Sequence, residues 1–129
     1  MDYSMNVRVP EPFAQVVDRV RAVLKDQGFG VLTEIDVRAT LREKIGEEIE
    51  EYLILGACNP VLAHRALEVD RRIGLLLPCN VTVRADGDGT IVEALNPQTM
   101  VGLTVLPELQ PVADEATRRL TTALAALAP

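Results

Sequence analysis

The stretch Tyr52-Leu-Ile-Leu-Gly-Ala-Cys58 runs straight into Asn59-Pro60, and this junction constrains the fold more than any other part of the chain. A near-continuous apolar run, in place of an alternating one, predicts a strand covered on both faces and placed centrally in its sheet. Asn favours the cap of a helix and Pro its first helical position. The strand therefore ends at Cys58 and a helix starts at once. Leu62, Ala63, Ala66, Leu67 and Val69 supply the buried face of that helix. Asp70 to Arg72 ends it, Gly74 turns the chain, and Leu75 to Leu77 leads into a strand over Cys79–Ala85.

The flanking segments read as further elements of a mixed fold. Met5, Val7 and Val9 alternate, which predicts a short strand ended by Pro10 and Pro12. From Phe13 the apolar positions Val16, Val17, Val20, Val23 and Leu24 recur at helical spacing, and Gly28 is the left-handed stop. Gly30 to Asp36 reads as a second strand, with Val31, Thr33 and Ile35 on one face; Asp36 then caps a short helix closed by Gly46. Asp86-Gly87-Asp88-Gly89 is the sharpest local signal, a hairpin turn returning through Thr90–Leu95. No glutamate stands where a calcium loop would need one. Asn96-Pro97 repeats the cap device and starts a short helical segment to Met100 or Val101. Val101 to Leu106 reads as a strand or extended connection, and the last helix runs from about Asp114 to Ala126. The expected fold is α+β: a single domain over residues 1–129 with a mixed, mostly antiparallel sheet covered by helices, in the order β-α-β-(α)-β-α-β-β-α.

Charge and composition exclude several function classes. Acidic residues outnumber basic ones 19 to 13, a net charge of −6, and such a surface repels phosphate backbones, so no nucleic acid is expected as a partner. With two Phe, two Tyr and no Trp the chain offers no aromatic platform for stacked bases. The acidic run Glu47, Glu48, Glu50, Glu51 reads as a solvated connection. The longest apolar run, Ile73 to Leu77, stops at Pro78, far short of the about 20 residues of a membrane span. The segment MDYSMNVRVPEPF lacks the pattern of a signal peptide. The expected compartment is cytoplasmic, with both cysteines reduced.

Chemistry collects around those two cysteines. Cys58 precedes a helix start, where the positive end of the helix dipole favours a thiolate; it also suits the commoner role of a free cysteine, filling space at the end of a buried strand. Cys79 opens the next strand, each cysteine is followed by an asparagine, Asn59 and Asn80, and the 21-residue spacing matches neither a redox CxxC nor a zinc pattern. Whether the sulfurs meet depends on pairing direction: antiparallel neighbours would bring them to one end of the sheet. His64, the only histidine, falls roughly 100° from the apolar stripe of its helix, on the polar flank near Glu68 and Arg71. Cys58, Cys79 and His64 are together a candidate set for a soft metal ion such as Cu(I) or Zn(II), short of the four ligands of a closed zinc site. There is no GxSxG, P-loop, GxGxxG or HExxH motif, and no second histidine for a proton relay.

The segments GACNPVLAHRAL and IGLLLPCNVTVR closely resemble domain of unknown function family 302 of bacteria and archaea, and GFGVLTEIDVRATLREKIG and NPQTM resemble its flanking segments. The resemblance spans Val16 to Leu124, with Gly56, Cys58, Asn59, Pro60, Ala63, Pro78, Cys79 and Asn80 matching the two signature segments. It implies one α and β domain with an antiparallel-rich sheet, a homodimer, and no established activity. The functional expectation is a small dimeric binding module. Its metal, thiol-reactive or small-ligand site would lie near Cys58, Asn59, Cys79 and Asn80. The alternatives are a redox or nucleophilic enzyme using Cys58, and an interaction module in which the cysteines only pack.

Overall fold

A computed structural model describes residues 2–129. The chain is built as β1 (Ser4–Val9), α1 (Phe13–Asp26), β2 (Gly30–Asp36), α2 (Val37–Ile45), β3 (Tyr52–Cys58), α3 (Pro60–Val69), β4 (Cys79–Asp86), β5 (Gly89–Leu95), α4 (Gln98–Thr104) and α5 (Gln110–Ala125). Five strands form one sheet in the order β1-β5-β4-β3-β2. All four pairings are antiparallel, so the α+β expectation holds.

The Asp86–Gly89 hairpin joins β4 to β5, with Gly87 at φ 62°. Arg8 of the edge strand β1 donates from Nε to Asp86 Oδ2 at 2.8 Å, tying that edge to the turn. Because β1 and β2 stand at opposite edges, α1 must cross the sheet between them, and it packs over β4 and β5. Its buried residues Val16, Val20 and Leu24 meet Leu55, Val83 and Val92 from the sheet and Leu120 from α5. A second apolar cluster lies beside the first, where Leu62 and Ala66 of α3 meet Met100 of α4 and Val112 and Ala116 of α5.

Several expectations change. In β3 only Leu53, Leu55 and Ala57 face the helices; Tyr52 and Ile54 lie on the opposite face, half-buried by their neighbours. The apolar continuity thus does not mean that helices cover both faces. In β2 a register shift between Val31 and Thr33 puts Val31 opposite Ala57 on the helix face, but Thr33 opposite Gly56 on the other. One extra residue in a strand inverts its alternation from that point on. The segment 71–76 is a 3₁₀ helix and not a lead-in to the strand, and a cis Leu77–Pro78 bond precedes β4. The stretch 101–106 is mostly helical: α4 continues to Thr104 and ends at Val105 in the left-handed region. The last helix begins at Gln110, with Pro111 inside its first turn, where a missing N–H costs nothing.

A candidate thiol pocket at the end of the sheet

The register of β3 against β4 decides the thiol site. Ala57 stands opposite Cys79, so the last residue of one strand and the first of the next come to the same end of the sheet. Cys58 and Cys79 are free and half-buried, and both line one small pocket of about 30 Å³. That pocket occupies the seam between the two apolar clusters. Phe29 and Ala57 come from the first cluster, and Leu62, Ala66, Met100 and Val112 from the second. Its lining is apolar apart from the two thiols and Asn59.

Local chemistry explains why these groups stay in place. Asn59 is buried, and its Oδ1 accepts a hydrogen bond from the Leu62 N–H at 3.2 Å, which fixes the start of α3 beside Cys58. Pro60 has no N–H and the Ala63 N–H reaches Asn59 O at 2.9 Å. The helix start is thus largely satisfied by its own chain, and what remains at Cys58 is the field of the helix. Gly28 packs on the other side of Asn59; a Cβ there would lie 3.0 Å from Asn59 Nδ2, and its φ of 82° suits glycine. Burial pushes the Cys79 thiol above its ordinary range, and the neighbouring Cys58 adds to this as a smaller cause. A neutral, poorly solvated thiol is therefore the ground state of Cys79 at neutral pH.

Two of the other candidate residues stand elsewhere. Asn80 pairs with Gly56 on the opposite face of the sheet, exposed and turned away from the pocket. His64 is 72% exposed on α3, with Nε2 3.3 Å from Glu68 Oε1, on the polar flank as expected. It does not join the cysteines, and among the described residues no three His, Cys, Asp or Glu side chains gather in metal-binding range. Sequence reasoning missed Met100. It stands near the start of α4, set by Asn96 Oδ1 accepting from the Gln98 N–H at 3.0 Å. Gln98 Nε2 donates to Asp114 Oδ1 at 3.0 Å and Gln98 Oε1 accepts from Gln110 Nε2 at 2.8 Å, and these two bonds hold α4 against α5. The NPQTM segment carried this signal in its cap, but a count of Cys and His passes over a thioether.

Residues 5–127 match the family profile described as domain of unknown function DUF302. The chain belongs to the DUF302 family. Its fold is similar to a solved DUF302 structure, the crystal structure of an uncharacterized conserved protein from Bacillus stearothermophilus. The two are 30% identical with a TM-score of 0.90, over 97% of this chain and 98% of that one. No curated protein matches. No helix of this DUF302 chain, among the described residues, is long and apolar enough to cross a membrane.

Proposed function

We propose that this DUF302 chain is a small dimeric binding module that takes up a small ligand in the pocket between Cys58 and Cys79. The observation that carries the reading is the convergence of two free thiols on one mostly apolar pocket, at a seam between two cores. Cores normally close such seams, and an apolar concavity of this volume with two convergent thiols takes a ligand of atomic or few-atom size. The competing enzymatic reading has the helix start at Cys58 in its favour. Its general base would have to be His64, which is exposed and paired with Glu68. The test is an apolar monatomic probe, xenon, followed by its nuclear magnetic resonance shift, against Ala63→Leu, which narrows the pocket from its α3 wall. Saturable binding by the parent chain that this substitution abolishes supports the reading; binding left unchanged by it would sink the reading.

Support for the dimer comes from the sheet face left without helices. There Tyr52, Ile54, Ile91 and Leu95 are only half-buried within one chain, beside the Arg84–Glu93 ion pair at 3.0 Å. A second copy laid on this face would cover the apolar part with its own. Light scattering should give twice the chain mass, and Ile54→Glu should return it to the monomer. A parent chain that is monomeric at micromolar concentration would exclude this.

A further inference from the structure

We propose that the pocket is a three-sulfur site for a soft monovalent metal ion of the Cu(I) class, with Cys58, Cys79 and Met100 as its donors. This rests on the pocket reading above and names its ligand.

The donor set selects the ion. Cys58, Cys79 and Met100 line the same cavity, and Met100 is almost fully buried. Thiolate and thioether sulfurs favour soft ions, whereas Zn(II) asks for four ligands and accepts nitrogen or oxygen to reach them. Here His64 points elsewhere, and the rest of the wall is apolar apart from Asn59, whose Oδ1 is engaged by the Leu62 N–H. A low-coordinate, all-sulfur, poorly hydrated site suits an ion that tolerates three neighbours and loses water easily.

Charge and proton balance agree with this assignment. One monovalent ion bound by two thiols displaces two protons to solvent, and no electron moves if the ion arrives already reduced. The product carries one net negative charge, placed beside the positive end of α3, while the thioether adds a donor without adding charge. Both thiols give up their protons on coordination, since a metal-bound thiol is deprotonated outright. Binding should therefore strengthen as pH rises.

The experiment is an anaerobic titration of the reduced, full chain with Cu(I) in competition with the chromophoric chelator bicinchoninate. Circular dichroism serves as the folding control. The expected result is one ion per chain held against the chelator, with an ultraviolet thiolate-to-metal band. Met100→Leu keeps the side-chain volume and should weaken binding by about tenfold or more. Cys58→Ser and Cys79→Ser should each abolish the band, and His64→Gln should leave it intact. Folded Met100→Leu binding as tightly as the parent, or loss of binding in His64→Gln, would overturn the assignment. If the parent chain holds no Cu(I) yet still binds xenon in a manner blocked by Ala63→Leu, the metal inference fails and the pocket reading stands. If the parent chain binds neither, both fail.

Discussion

Gly56 sits one step from the pocket, in the middle of three paired strands, and Gly56→Ala is the sharpest test of how this end of the sheet is built. It stands opposite Thr33 on β2 and Asn80 on β4. A Cβ there would fall 2.1 Å from Thr33 Oγ1 and 2.9 Å from Pro78 Cγ. The first contact can be relieved only by turning a β-branched side chain, which exchanges its hydroxyl for its methyl in one of its wells. The second cannot be relieved that way, because a proline ring does not rotate; the strand or the Pro78 segment must move. Overpacking of this kind costs about 1–3 kcal/mol, and two simultaneous contacts argue for about 2 kcal/mol. At about 4 °C per kcal/mol for a chain of this size, the melting temperature should fall by about 8 °C.

The assay is urea denaturation of Gly56→Ala, Thr33→Ala and the double variant. Thr33→Ala removes the nearer obstacle and leaves Pro78, so the glycine substitution should cost less in that background. The coupling between the two sites should be at least about 0.5 kcal/mol. A Gly56→Ala chain within about 0.5 kcal/mol of its parent would refute the packing argument. So would an equal cost in both backgrounds.

Further outcomes follow from single residues. Val105 ends α4 at φ 56° and is 79% exposed, so Val105→Gly removes left-handed strain at little loss of burial. It should raise stability by about 1 kcal/mol in urea denaturation; a lower midpoint would refute this. Asn59→Ala removes the 3.2 Å cap on Leu62 and should cost about 1 kcal/mol, with Asn59→Ser recovering most of it; equal stability of Ala and Ser variants would refute the capping role. Hydrogen bonds donated by Arg118 and Arg119 hold Glu115 at about 2. Its stabilising effect is therefore full above the unfolded value of about 4.3 and is lost as pH falls through about 2. Urea midpoints followed through that acid window should fall less steeply for Glu115→Gln than for the parent, and parallel curves would contradict the assignment.

Elements announced by their own residues are legible in the chain itself. Asp36 accepts from the Ala39 N–H at 2.9 Å, as a capping aspartate should, and the hairpin closes where Asp-Gly-Asp-Gly stands. What escapes a local reading depends on partners remote in the chain. The irregularity after Val31 is invisible locally, because it concerns how β2 lies on β3. The run 101–106 is apolar at a length where helix and strand cannot be told apart. It is helical because α4 packs on α5, and it ends on a valine in a conformation where glycine would be expected. Pro111 suggests a break to a reader, yet within a first turn it is no obstacle.

The site divides along the same line. Sequence alone places Cys58 at a strand end and Cys79 at a strand start, and only the antiparallel pairing of β3 with β4 turns those two facts into one location. The same pairing separates the asparagines that follow the cysteines. Asn59 turns inward to cap α3, whereas Asn80, one residue along a strand from Cys79, must face the other side of the sheet. A repeated Cys-Asn step in the chain is therefore two unlike devices in space: one cysteine beside a helix cap, the other half-buried at the start of its strand. The third sulfur arrives from α4, whose position depends on the bonds of Gln98 to Gln110 and Asp114 of α5. A site assembled from a strand end, a strand start and a remote helix leaves no spacing motif behind, and for that reason its chemistry is read from the pocket.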